Sequence, residues 1–255
     1  MSTAVMGRLA ALTRAEMILL VRHKAVLVTA LVLPLAMTFA MQSLISDLDL
    51  EDAGLTLGTM LMPSMLGFVF LFGVYSALVT VYVVRRDQLV LKRLRTGEPG
   101  DLEILGGTAS ATLVAGVVQC LVLAVAGALV LDVEAPSSIL LVVLGALFGL
   151  VLATGLAAVT AAFTKSAEGA QLTITPMLLV SMIGSGMVVP LELMPEKMAS
   201  VCELLPLSPA VQLVRGGWTG TLSTYDVLGA VAVALAWTVV SVFAVQKWFR
   251  WEPRR

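Results

Sequence analysis

Residues 64–95, SMLGFVFLFGVYSALVTVYVVRRDQLVLKRLR, contain a long apolar run followed at once by a cluster of basic residues. The first part, Ser64 to Val84, holds twelve Leu, Phe or Val residues and no Asp, Glu, Lys or Arg. At roughly 0.3–0.6 kcal/mol for each of these residues, insertion of this part into a bilayer is favoured by about 4–7 kcal/mol. Five Lys or Arg residues follow within the next eleven positions. We therefore predict a helix that crosses a membrane and ends in a basic segment at its surface.

The same apolar pattern occurs six times along the chain. The 255 residues are 59% hydrophobic and 13% charged, whereas about a quarter of the residues in a soluble domain are charged. Each apolar stretch has roughly the 20 residues that a helix needs to cross a bilayer, and lipid offers the backbone no other hydrogen-bond partner. We predict an all-α membrane protein with a single transmembrane domain over residues 1–255. Its six transmembrane helices are residues 25–45, 58–84, 106–131, 138–163, 170–189 and 227–246.

Basic and acidic residues alternate between the polar segments that separate these helices. Fourteen of the sixteen Lys and Arg residues lie in segments 1–24, 85–105, 164–169 and 247–255. The other polar segments are mainly acidic, and they are residues 46–57, 132–137 and 190–226. Because basic loops of membrane proteins stay in the cytoplasm, we predict that both termini are cytoplasmic and that the acidic segments face outward.

The N-terminal segment 1–24 holds enough residues for a helix of its own. Met6, Leu9, Met17 and Leu20 have spacings compatible with one apolar stripe. We predict an amphipathic helix that lies along the cytoplasmic surface of the membrane before the first span.

A second short helix is predicted in the cytoplasmic segment 85–105. The run from Asp87 to Arg95 is compatible with a helix, Thr96-Gly97 ends it, and Pro99-Gly100-Asp101 supplies a turn and the cap of the next helix. Such a helix suits docking of a cytoplasmic partner. Its composition equally suits a basic anchor at the lipid headgroups, and the residues by themselves leave both interpretations open.

The outer segment 190–226 is too broken to span a membrane and too apolar to be a free loop. It contains Pro190, Pro195, Pro206 and Pro209 around an apolar run at 198–207. Short re-entrant or interfacial helices satisfy both constraints, because their backbone groups are buried in protein or meet water.

The residues offer little chemistry for an enzyme. The single histidine, His23, lies in the N-terminal segment, and the predicted spans contain no Asp, Glu, Lys or Arg. Intramembrane proteolysis and ion-coupled transport ordinarily depend on such groups inside the membrane. The chain also lacks a Gly-x-x-x-x-Gly-Lys-Ser/Thr phosphate loop. We predict that the chain is not an enzyme, holds no metal or cofactor, and is driven by another polypeptide if it pumps.

Two stretches resemble the membrane subunits of ATP-binding-cassette (ABC) type-2 exporters. Residues 85–107, RRDQLVLKRLRTGEPGDLEILGG, are similar to the family's cytoplasmic loop between the second and third spans. Residues 176–216, PMLLVSMIGSGMVVPLELMPEKMASVCELLPLSPAVQLVRG, are similar to its C-terminal block and end at Arg215-Gly216. The order of spans and polar segments agrees as well, so the resemblance covers nearly the whole chain.

The resemblance implies a permease subunit in a bacterial cell membrane. It implies a second permease copy or homologue as partner and two copies of a separate ATPase subunit, which binds ATP and Mg. Segment 1–24 corresponds to the connecting helix and the outer segment, with Pro190, Pro195, Pro206, Pro209 and Arg215, to short re-entrant helices. The coupling helix that meets the ATPase corresponds to Asp87, Leu91, Lys92, Arg93, Leu94 and Arg95. On this reading the three basic residues pair with acidic groups of the ATPase and the two leucines fill a groove.

The resemblance also implies that spans two and five line the transport path. The candidate lining residues are Phe68, Phe72, Tyr75, Met177 and Met182. Aromatic and Met side chains form an adaptable apolar wall, which suits a hydrophobic or amphipathic cargo such as a drug, an antibiotic or a lipid-like molecule. Ordinary helix packing or lipid contact is the alternative role for each of them. Two other functions remain open, namely a secondary transporter or channel and an assembly scaffold without a transport path.

Overall fold

The structure is a computed structural model that describes residues 57–252, apart from residues 98, 131, 132, 134, 189, 190, 192 and 193, together with the isolated Gly7 and Ala36. The predicted connecting helix 1–24, the first predicted span 25–45 and Pro190 therefore lie outside the described residues. Within the described part, the chain forms helices and no strand.

A long helical stretch with a π-helical middle comes first, and helices of 6 to 30 residues follow it. The elements are α1 (Leu57–Phe68), a π-helical segment (Val69–Ser76), α2 (Ala77–Asp87), α3 (Val90–Arg95), α4 (Asp101–Val130), α5 (Ile139–Phe163), α6 (Ala170–Gly184), α7 (Glu196–Glu203), α8 (Ser208–Thr219) and α9 (Thr224–Trp248).

Four helical stretches of the described residues are long and apolar enough to cross a membrane. They are Met60–Asp87, Asp101–Leu129, Ile139–Phe163 and Thr224–Trp248. Each coincides with a span predicted from the sequence. The all-helical membrane fold is thus confirmed, while the count of six spans and the orientation of the termini stay predictions.

The helix in the fifth predicted span is shorter than expected. We predicted a span over residues 170–189, but α6 has 15 residues and ends at Gly184. Ser185 follows as the helix cap, and Gly186 has a positive φ of 71°, which turns the chain out of the helix. A helix of 15 residues covers only about 22 Å at 1.5 Å per residue.

The stretch from Met60 to Asp87 forms the centre of the bundle. In its most apolar part 61% of the residues are buried, against 22% for α9. The outer faces of the other long helices expose large apolar side chains, for example Leu129, Leu140 and Val239. A bilayer would cover such faces, as expected for helices that are apolar all round.

The helices α5 and α8 pack with their backbones in close contact. A Cβ added to Gly145 of α5 would lie 2.8 Å from the carbonyl oxygen of Ala210 in α8. The Ser138 N–H, at the start of α5, donates a hydrogen bond of 2.8 Å to the carbonyl oxygen of Gly217 in α8. Glycine is needed here because any side chain would hold the two backbones apart.

Candidate functional site

The short helix α3 lies between two long helices and is set off by a left-handed residue. Leu89, between α2 and α3, has a φ of 60°, a conformation that costs a non-glycine residue about 1–2 kcal/mol. The helix therefore begins at Val90, three residues after the predicted start at Asp87. At its other end the Thr96 hydroxyl donates 2.7 Å to the carbonyl oxygen of Arg93, so the predicted end at Thr96-Gly97 is confirmed.

Arg86, at the end of α2, is completely buried. Its guanidinium donates to the carbonyl oxygens of Ala161 at 2.9 Å, Thr164 at 2.8 Å and Lys165 at 3.2 Å. These carbonyls belong to the C-terminal turn of α5 and the residues just after it, where the helix dipole places negative partial charge. Arg86 thus joins the end of α2 to the end of α5.

Sequence reasoning missed this role of Arg86. Arg85 and Arg86 are adjacent basic residues of one predicted cytoplasmic segment, and residue type does not show which of the two is buried. The only available signal is weak: Tyr82 and Val83, four and three residues earlier on the same helix, are apolar and prove to be buried. A helical residue at that spacing shares the buried face.

The predicted coupling residues divide into a buried and an exposed set. Leu91 is fully buried within this chain and Leu94 packs partly against the core. Lys92, Arg93 and Arg95 are exposed, and so is Asp87. The leucines therefore hold α3 on its own bundle rather than offering an open apolar face, and the cations form the outward surface.

Arg95 anchors the turn that follows α3. Its Nε lies 3.0 Å from Asp101 Oδ1 and its Nη2 lies 3.2 Å from Asp101 Oδ2, which is a two-bond ion pair. Such paired geometry orients both groups more strictly than a single contact. Asp101 is also the first residue of α4, so the pair fixes α3 relative to that helix.

The chain returns to α3 after α9, through residues 249–252. Phe249 and Trp251 are buried, with ring centroids 5.2 Å apart, and Phe249 also meets the ring of Tyr82 at 6.3 Å. The Arg95 guanidinium carbon lies 4.9 Å from the centroid of the Trp251 ring, within range of a cation–π interaction.

An ion pair completes this contact, and a groove lies beside it. Lys92 Nζ lies 2.7 Å from Glu252 Oε1, with both side chains about half or more exposed. The groove has a volume of about 600 Å³ and is lined by Lys92, Arg95, Thr96, Phe249, Arg250, Trp251 and Glu252. Its lining combines charged and aromatic side chains.

The predicted path residues lie in or against the core. Phe68 and Tyr75 are buried, and the Tyr75 and Thr160 hydroxyls are 3.1 Å apart. Phe72 lies 6.4 Å from Phe68 by ring centroids. Phe72, Met177 and Met182 are partly buried and pack on the same core. The structure thus brings the five residues around one core, and their role in a path stays a prediction.

The predicted re-entrant segment contains the two short helices α7 and α8. Pro195 precedes the first residue of α7, and Pro209 lies in the first turn of α8, where a missing N–H costs nothing. Pro206 lies in the turn between them. Arg215 of α8 donates a hydrogen bond to the carbonyl oxygen of Gly186, just beyond the end of α6.

Two further cavities lie elsewhere in the bundle. One, of about 320 Å³, lies beside α7 and α8 and is lined in part by Glu196, Glu203 and Arg215. The other, of about 250 Å³, lies among α2, α4, α5 and α9, and residues such as Leu105, Val151 and Val242 make it almost entirely apolar. The predicted path residues line neither of them. Across the described residues, no group of three His, Cys, Asp or Glu side chains is placed to hold a metal ion.

These features define a multi-pass helical membrane protein with a basic helix anchored at one end of the bundle. A protein-family model described as ABC-2 type transporter matches residues 8–218. Since the match spans most of the chain, the chain belongs to the ABC-2 type transporter family, as the resemblance in its sequence indicated, and is a permease of that type. The family consists of membrane permease components that are generally not catalytic. Comparison with curated proteins gives no match.

Proposed function

We propose that this chain is the permease subunit of an exporter in a bacterial cell membrane, which moves a hydrophobic or amphipathic cargo outward. The energy comes from ATP, bound with Mg and hydrolysed by two copies of a separate ATPase subunit, and a second permease copy or homologue completes the path. The observation that carries the proposal is the exposed basic surface of α3, anchored from beneath by buried side chains in a chain of the ABC-2 type transporter family.

In this proposal α3 is the coupling helix. Lys92, Arg93 and Arg95 face outward and suit acidic groups of the ATPase, while Asp87 lies exposed at the end of α2. Leu91 and Leu94 hold α3 on the bundle. A force on α3 therefore moves the helices beneath it instead of detaching α3 from them. A contact that transmits force must be rigidly held, since packed elements transmit motion by rigid-body rotation or shear.

Arg86 and α5 extend this connection through the bundle. Arg86 attaches the α2–α3 junction to the end of α5 through three hydrogen bonds. The opposite end of α5 is bonded to α8, and the Ser137 hydroxyl adds a second bond, of 3.1 Å, to the carbonyl oxygen of Trp218. In the proposal, a movement of α3 reaches α8 in the outer segment through one continuous helix of 25 residues.

The proposed cargo path uses an apolar surface that a second copy would complete. Phe72, Met177 and Met182 are held against the core on one side and remain partly accessible on the other. Met and aromatic side chains adapt to varied apolar ligands. This supports a drug, antibiotic or lipid-like cargo over a long polar polymer.

The test is affinity purification of the full chain in mild detergent. We expect a soluble protein with phosphate-binding ATPase motifs to co-purify in equal amounts, and its ATP hydrolysis to rise with cargo when both are reconstituted into liposomes. The double variant Lys92→Gln/Arg93→Gln should lose the partner. Its matched control, Lys197→Gln on α7, should retain it.

Two results would overturn the proposal. Cargo flux through liposomes that contain this chain and no ATPase would indicate a secondary transporter or channel. An ATPase that binds but is never stimulated by any tested cargo would indicate an assembly scaffold.

A further inference from the structure

Residues 249–252 pack against the end of α2 and α3, with Phe249 and Trp251 buried beneath and Arg250 and Glu252 exposed. Phe249 and Trp251 are each less than 10% exposed, although they follow the last helix of the chain. Their rings form a continuous contact that runs from Tyr82 through Phe249 to Trp251 and ends under the Arg95 guanidinium. These ring contacts hold residues 249–252 against the end of α2 and against α3.

The charges around the groove favour an acidic occupant. Three of its lining residues, Lys92, Arg95 and Arg250, are basic, and Glu252 is the single acidic one. Arg95 is also paired with Asp101, which lies outside the lining. Glu252 lies on Lys92 with a separation of 2.7 Å, which is the geometry an incoming carboxylate would adopt. The chain thus supplies, from its own end, a side chain of the kind that a partner would bring.

We infer that residues 249–252 and α3 together form the docking surface for an acidic face of the ATPase subunit, and that Glu252 competes with this partner for Lys92. This inference rests on the proposed function. Trp251 serves as the platform that holds the Arg95 guanidinium in place. Arg93, exposed and outside the groove, gives the partner a second cation that Glu252 does not occupy.

The competition predicts the direction in which Glu252 changes the affinity for the ATPase subunit. Displacing an exposed carboxylate from Lys92 costs little, because surface ion pairs contribute about 0–1 kcal/mol, which corresponds to a factor of up to about five in affinity. Glu252 therefore weakens docking modestly without preventing it. It also discourages occupation of the groove by other weak anionic ligands.

The experiment measures the affinity of the co-purifying ATPase subunit, itself purified, for the full chain in nanodiscs of zwitterionic phospholipid. Glu252→Gln should bind about two- to fivefold tighter, and Glu252→Lys tighter still, with both gains shrinking at high salt. Trp251→Ala should bind about three- to tenfold weaker, because Arg95 loses its platform. Trp251→Phe, which keeps a ring and guards against loss of folding, should fall between Trp251→Ala and wild type.

The matched control makes the same charge changes at the other end of the bundle. Glu196→Gln and Glu196→Lys on the exposed side of α7 should leave ATPase affinity unchanged. Equal gains from the Glu196 and Glu252 variants would mean that total charge alone matters, and would overturn the inference.

Other outcomes also separate the inference from the proposed function. Wild-type affinity, or weaker binding, in Glu252→Gln would overturn the inference while leaving the proposed function intact. Anionic lipid retained by the groove, with Trp251→Ala and Glu252→Lys altering lipid retention but not ATPase affinity, would overturn it in favour of a lipid site. No ATPase bound by wild type would instead defeat the proposed function itself.

Discussion

The basic residues that follow the second predicted span have two different roles. One is buried and holds two helices together, and three others are exposed. Arg86, Lys92, Arg93 and Arg95 have the same charge and lie within ten positions of one another. The structure buries Arg86 completely on the carbonyl oxygens at the end of α5 and leaves the other three exposed. A buried cation needs partners for its charge and its donors. Both Arg86 Nη atoms donate to these carbonyl oxygens and Nε lies 3.6 Å from Asp87 Oδ1, so Arg86 and the end of α5 depend on each other.

Replacing Arg86 should destabilise the permease without its partner. Arg86→Met leaves the carbonyl oxygens of Ala161, Thr164 and Lys165 without their donor and should lower the free energy of unfolding by about 2–4 kcal/mol. Arg86→Lys keeps the charge but loses the forked donors and should be intermediate. Denaturant titration in detergent measures both effects.

The control for this prediction is Arg93→Met, which removes the same charge from the exposed side of α3. Its effect on the free energy of unfolding should stay within about 0.5 kcal/mol, as for other surface substitutions. Equal free energies of unfolding for the Arg86→Met and Arg93→Met variants would show that the buried hydrogen bonds of Arg86 do not stabilise the fold.

At the scale of elements, the contact between α5 and α8 is set by glycine. Gly145 in α5 and Gly217 in α8 have no space for a Cβ, since a Cβ at Gly217 would lie 2.9 Å from the Val142 backbone nitrogen. The neighbours include backbone atoms at both positions, beside the side-chain methyls of Val142 and Val214, and backbone atoms cannot move aside as a flexible side chain can. This seam links the predicted outer segment to the helix that Arg86 holds at the other end.

The variant Gly145→Ala should therefore push α8 away from α5. We expect a loss of about 1–3 kcal/mol in the free energy of unfolding, the usual cost of overpacking. Under the proposed function it should also reduce cargo-stimulated ATP hydrolysis more than basal hydrolysis. Stability is measured by denaturant titration and coupling in liposomes.

Gly229→Ala in α9 is the matched control, since no atom lies within 4 Å of a Cβ added there. Alanine is favoured over glycine inside a helix by about 0.5–1 kcal/mol, so this variant should be as stable as wild type or more so. If the two variants behave alike, close packing between α5 and α8 does not explain the glycine at position 145.

At the scale of the whole molecule, the orientation in the membrane is predicted from charge alone. Fourteen basic residues lie on the predicted inner side, and moving them across would be costly.

Thiol labelling can determine that orientation. In a background with Cys120→Ala and Cys202→Ala, which removes both cysteines of the chain, Ser200→Cys should react with a membrane-impermeant reagent added to intact cells. Thr96→Cys should react only after the membrane is opened. Both positions are exposed, so burial does not confuse the comparison. The reverse labelling pattern would mean that the predicted topology is inverted and that α3 does not lie on the cytoplasmic side of the membrane.

Much of the architecture was predictable because lipid restricts the choices so strongly. Long uncharged stretches must be helical in a bilayer, and the helices α4, α5 and α9 coincide with predicted spans to within a few residues at each end. The short α6 was harder, because Gly184-Ser185-Gly186 occurs in helix contacts as readily as at helix ends, and only the backbone shows that Gly186 has a positive φ.

Apolar length and charge density are properties of adjacent residues, so the membrane class, the positions of the long helices and the short basic helix after the second predicted span follow from the chain read in order. The folded bundle was needed to show that Arg86 joins α2 to α5, that Leu91 is buried, and that the segment with Phe249, Trp251 and Glu252 packs against α2 and α3. These contacts join residues up to about 160 positions apart. Their existence depends on how whole helices pack, and hydropathy along the chain does not encode that packing.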